Sequence, residues 1–201
     1  MTTSSIPDRR LSKARGFMAR ITFVVITMFC LITSASSAAA QYREVEWTEL
    51  MPKEDLAALL DPPDFLNGIE DGSQQDSVAA LNQRDITDQK AERYREALSS
   101  TRPIAEFDQQ AIRIPGYIVP LAQNEQRRVT SFFVVPYFGA CLHMPPPPPN
   151  QILFVNYPQG IELQNLQQPF WFEGKLNIEI SKHDLGTSAY TLHVDNYQLY
   201  E

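Results

Sequence analysis

Five consecutive prolines, Pro145, Pro146, Pro147, Pro148 and Pro149, constrain this chain more than any other feature. They offer no backbone N–H to a helix or a sheet, so the run must lie between elements, as a polyproline II rod of roughly 15 Å. Just before it stand Cys141, His143 and Met144. Cysteine and histidine two positions apart in extended chain point to one side. Thiolate, imidazole and thioether are ligands for soft or borderline metals. The rod has two readings. It is either a rigid connector that fixes its loop, or a ligand for a partner's aromatic groove, presented with Tyr137, Phe138 and Asn150.

The first 40 residues read as a secretory signal. Arg9, Arg10, Lys13, Arg15 and Arg20 precede an apolar run of 12 residues, Ile21 to Ile32, and small residues end at Ala38-Ala39-Ala40. That run is short of the roughly 20 residues a spanning helix needs. The expectation is cleavage, a periplasmic or secreted mature protein, and membrane contact only before cleavage. These 40 residues hold five of the 17 basic side chains and one of the 24 acidic ones. The remainder therefore carries 12 basic against 23 acidic side chains, a formal charge of −11. Such a surface repels phosphate backbones, and Arg127-Arg128 is too small a basic pair to reverse that. Nucleic acid is not an expected partner. Cys30 leaves with the signal, so Cys141 has no internal disulfide partner. It is buried, metal-bound, paired with another chain, or reactive.

Two regimes follow. Residues 41–103 are polar, acidic and helical or loop-like, with helices expected at 53–60 and 77–100 and a loop at 64–76. Residues 104–201 alternate short runs rich in Val, Ile, Phe and Tyr with turn residues. Strands are expected at 111–121, 129–138, 151–157, 170–180 and 189–200. Gly116 and Gly174 fall inside two of them, where a bulge or bend is needed. Five bent strands in fewer than a hundred residues, with no βαβ rhythm, predict a mainly β protein. Its core is a small five-stranded barrel preceded by a polar helical segment. Its aromatic side chains are expected in the core.

The strings Ile114-Pro115-Gly116-Tyr117-Ile118-Val119-Pro120-Leu121, Gly139-Ala140-Cys141-Leu142-His143-Met144 with its prolines and Asn150-Gln151, and Phe170-Trp171-Phe172-Glu173-Gly174-Lys175-Leu176 carry a resemblance. They resemble a bacterial envelope family known as domain-of-unknown-function family 3299. The likeness covers 104–201 and the Trp47-x-x-Leu50-x-Pro52 segment. The closing strands are similar to those of oligonucleotide/oligosaccharide-binding (OB) barrels. The resemblance implies an accessory role beside ABC-type envelope transport components, in metal homeostasis or transport, and supplies no reaction.

The chain lacks G-x-S-x-G, H-E-x-x-H and P-loop strings. A non-enzymatic binding protein is therefore the first expectation. A zinc-binding or zinc-delivery protein, with copper as the lesser candidate, is the second. It would use Cys141, His143 and Met144, with a further ligand from His183 or His193. A thiol-dependent enzyme is the third, because a histidine two residues from its cysteine makes an awkward base.

Overall fold

The computed structural model of the chain describes residues 41–69, 73, 88–139 and 146–200. Strands are β1 (Arg43–Glu44), β2 (Gln110–Gln123), β3 (Val129–Val135), β4 (Leu153–Ile161), β5 (Phe170–His183) and β6 (Gly186–Leu199). Helices are α1 (Lys53–Leu60) and α2 (Gln89–Leu98), and single 3-10 turns cover Trp47–Leu50, Asp64–Gly68, Ala105–Phe107 and Pro149–Gln151. The signal segment 1–40, residues 77–87 of the expected second helix, and Cys141, His143, Met144 and Pro145 lie outside the described residues.

The strands run in the order β1-β2-β3-β4-β6-β5, and β5 returns to pair with β2. Strands β2 to β6 thus close a five-stranded barrel, with β4 and β6 parallel and the other barrel pairs antiparallel. Closure depends on β2 changing neighbours midway. Gln110–Gly116 pair with β5, and Tyr117–Gln123 pair with β3. The change falls at Gly116, where a Cβ would lie 2.4 Å from Val134 Cγ1. Gly174 sits at a register shift between β5 and β6. Of the two mid-strand glycines, Gly174 falls at the irregularity the sequence predicts, and Gly116 marks the change of neighbour.

Alternation divides the side chains into two apolar layers. Phe132 and Val134 enter the main core with Ile112, Ile114, Leu153, Val155, Phe172, Leu176, Tyr190 and Leu192. Phe133 and Val135 instead join Ile152 in a second cluster, flanked by Tyr117, Val119, Leu121 and Phe154.

Strand limits depart from the sequence reading in three places. β3 stops at Val135, not 138, because Pro136 has no N–H to continue the ladder; Tyr137 and Phe138 occupy the following turn. β4 starts after the Pro149–Gln151 turn and runs to Ile161. β5 and β6 reach each other across the two-residue turn Asp184-Leu185.

The N-terminal segment is more than a polar helical lead. β1 pairs in parallel with β2, and Val45, Trp47 and Leu50 are part of the barrel core. Trp47 Nε1 donates to Pro115 O at 2.7 Å. Tyr190, fully buried, donates from its hydroxyl to Leu50 O (2.9 Å) and accepts from Ile104 N–H (2.6 Å). Asp88 caps α2, its carboxylate accepting from Lys90 N–H, and the helix buries Ala91, Tyr94, Ala97 and Leu98. Tyr94 and Leu98 pack with Leu59, Phe65 and Leu66.

Burial pushes the Tyr190 phenol up to about 12, and the Ile104 amide partly offsets that. The folded value lies above the unfolded one, near 10. Stability from the neutral phenol is therefore complete below about pH 10 and lost as pH rises through 12. Urea midpoints measured from pH 9 to 12 are expected to fall by an amount equivalent to about 2–3 kcal/mol. In a Tyr190→Phe variant, which has no ionisable phenol, that component of the fall should vanish.

Candidate functional site

The proline run ends inside the molecule. Pro147 and Pro148 are buried, and Pro148 keeps extended angles (φ −65°, ψ 159°). They line a depression of about 170 Å³ with Met51, Leu56, Leu59, Leu98 and Tyr137. Helices α1 and α2 thus form an apolar cradle for the chain's own rod.

A buried polar cluster fixes the end of that rod. Asp55 is 1 % exposed. Its carboxylate accepts from Ser100 Oγ at 2.6 Å, from Arg102 Nη2, and from Asn150 Nδ2 at 3.5 Å. Asn150 also donates to Ser100 Oγ and to Arg102 O, and its N–H bonds Ser100 O. Gln151 Nε2 donates to Trp47 O at 2.6 Å. Asn150, read from sequence as a partner-facing residue, is fully buried and works inward. Pro146, Pro147 and Pro148 likewise line the cradle, Pro146 half-buried, and Pro149 is half-buried. Asp55 was not singled out by the sequence, since an acidic residue in a helix's first turn is ordinary.

Tyr137 and Phe138 behave differently. They are 41 % and 46 % exposed, and Phe138 packs against Tyr117 with ring centroids 6.3 Å apart. Both line a cleft of about 340 Å³. Tyr117, Val119, Pro120 and Val135 form its wall along β2 and β3, and Gly139 also lines it. Leu166, from the β4–β5 loop, and Leu185, from the β5–β6 turn, complete the rim at 50 % and 58 % exposed. None of its ten described lining residues is charged. The volume lies within the range of about 300–1,000 Å³ common for binding sites. Sequence reasoning missed both leucines, each a lone apolar residue within a polar turn. That isolation was the available signal: a leucine at a polar turn has no local reason to be there.

The two described histidines do not meet. His183 pairs with Gly186 and His193 with Lys175. They are therefore about eight residues apart along β5, some 26 Å in a straight strand. His193 is exposed. His183 stacks on Phe154 with centroids 4.7 Å apart and meets Phe133 edge-on at 5.4 Å. Among the described residues no group of three or more His, Cys, Asp or Glu side chains is placed to hold a metal ion.

The sequence profile described as Protein of unknown function (DUF3299) matches residues 47–199. The chain belongs to that family. This DUF3299 chain is also similar to the crystal structure of a DUF3299 family protein from Pseudomonas aeruginosa PAO1. The two share 30% sequence identity with a TM-score of 0.56, over 80% of this chain and 97% of that one. No curated protein matches the DUF3299 chain.

Proposed function

We propose that this DUF3299 chain is a non-enzymatic accessory protein of the bacterial cell envelope. It docks an uncharged apolar segment of a protein partner in the cleft between Tyr137, Phe138, Leu166 and Leu185. The observation that carries this reading is the rim. Three separate loops each bring exposed apolar side chains to one cleft with no charged residue among its described lining, on a chain that is otherwise strongly acidic. Contiguous exposed apolar surface on a water-soluble barrel marks an interaction site. Aromatic side chains at its edge suit a protein partner. The basic, apolar and Ala-x-Ala pattern of 1–40 supports export to the periplasm. The family resemblance supplies the class of partner, an ABC-type transport component, and a role in metal homeostasis. Cys141 and His143 follow the cleft residue Gly139 by two and four positions, and zinc is the ion that pair suits best.

The test is co-purification from solubilised envelopes, comparing wild type with a Leu166→Asp/Leu185→Asp variant. Both positions are exposed, so the variant should keep the wild-type melting temperature. An identified transport component should co-purify with wild type and be retained about a hundredfold less well by the variant, because each buried carboxylate would lack a partner. Equal recovery by both proteins would contradict the reading. So would stoichiometric zinc or copper in the purified protein that is lost in both Cys141→Ser and His143→Ala, with no transport component recovered.

A further inference from the structure

We infer that His183 is a positioning residue for the cleft, holding the β5–β6 tip so that Leu185 forms one wall. This rests on the cleft reading and adds what sets the cleft's width. The tip is a two-residue turn, Asp184-Leu185, at the end of a long hairpin. A register shift between Ile178 and Ser181 bends that hairpin. Beyond the bend, the tip lies against the second apolar cluster: a Cβ at Gly186 would be 3.7 Å from the Phe133 ring.

What holds it there is aromatic. The His183 ring lies nearly parallel to Phe154, at an interplanar angle of 28°, and nearly perpendicular to Phe133, at 81°. Both are favourable arrangements for aromatic pairs. Ser181 Oγ lies 2.9 Å from His183 Nε2, which fixes the ring's rotation from the same strand. Phe133 is fully buried, so the ring rests on a rigid base. Leu185 is two residues away and 58 % exposed. Its own burial is too small to hold the turn in place. Without the stack, the wall of the cleft would swing with the hairpin. The ring acts through its faces, which distinguishes this role from metal ligation through a nitrogen.

The variants His183→Ala and His183→Phe separate these possibilities. Hydrogen exchange of residues 181–187 needs no ligand and reads the tip directly. In His183→Ala it should rise roughly tenfold, the loss expected for a pair of ring contacts, while exchange in β3 stays unchanged. His183→Phe, which stacks but cannot bind a metal, should restore it to within about twofold. Binding of the neutral apolar fluorophore N-phenyl-1-naphthylamine should follow the same order, weakened by Ala and kept by Phe. Equal tip exchange in wild type and His183→Ala overturns the inference, as does failure of Phe to restore it. A wild type that does not bind the fluorophore, or binds it equally after Leu166→Asp, counts against the cleft reading instead. His183 is then judged by exchange alone.

Discussion

Replacing Asp55 by alanine is expected to destabilise the protein by about 3 kcal/mol in urea unfolding. The carboxylate is the shared acceptor of a buried cluster, and its loss leaves the Ser100 hydroxyl without its acceptor and a cavity beside Asn150, whose amide keeps Ser100 Oγ and Arg102 O. Each buried group left unpaired costs about 1–3 kcal/mol. Arg102 adds little, because its side chain is 54% exposed and returns to water when the carboxylate goes. Asp55→Asn keeps one oxygen and the size of the group, and should cost about half as much. The cluster ties α1 to two later segments of the chain: Ser100 and Arg102 follow α2, and Asn150 follows the prolines. Exchange of the Asn150 amide, bonded to Ser100 O, should therefore rise in Asp55→Ala by more than exchange at β5. A loss under about 1 kcal/mol would mean that the cluster does not hold the rod.

Gly174→Ala is expected to be as severe, by a different route. An added Cβ would stand 2.1 Å from His193 O and 2.9 Å from Val194 Cα. Both are backbone atoms of the neighbouring strand, so no side chain can rotate away. Gly174 also pairs with Ile112 across the β2–β5 seam that closes the barrel. The strand is thus held on both sides and can yield only by opening a ladder. Overpacking of this kind costs about 3 kcal/mol or more, enough to leave much of the protein insoluble on expression. Gly68 has nothing within 4 Å of its added Cβ and serves as the control. Gly68→Ala should leave the urea midpoint within about 0.5 kcal/mol of wild type. Near-normal stability of Gly174→Ala would contradict the close approach of β5 and β6.

The barrel was legible because its strands are written in Val, Ile, Phe and Tyr, and because Gly116 and Gly174 are placed where a closing sheet must bend. Boundaries were less so. The apolar run through Tyr137 and Phe138 continues past Pro136, and only the missing N–H of that proline ends the ladder. β1 was not legible at all. Two residues carry no period, and what commits Arg43 and Glu44 to the barrel is their register with Ile112 and Arg113. The hydrogen bonds of Trp47, Tyr190 and Gln151 join positions 68, 140 and 104 residues apart in sequence, which no local pattern encodes. The same holds for the candidate site. Tyr137 and Phe138 stood out beside the proline run. Leu166 and Leu185 became rim residues only when closure brought the β4–β5 loop and the β5–β6 turn to β2. Histidines that looked interchangeable as ligands proved to sit apart on one hairpin, both exposed, one at its tip and stacked on phenylalanines, the other midway along it.

Docking of a partner's apolar segment in the cleft is most directly tested by photo-crosslinking in intact cells. A photo-reactive p-benzoylphenylalanine is introduced at position 138, on the rim, and separately at position 60, where Leu60 is 75% exposed on α1 and is not among the described residues that line the cleft. Position 138 should give one discrete adduct containing an envelope transport component, lost when Leu166→Asp/Leu185→Asp is added. Position 60 should not give that adduct. The same adduct from both positions, or none from position 138 while position 60 labels, would contradict the assignment of this cleft as the docking site.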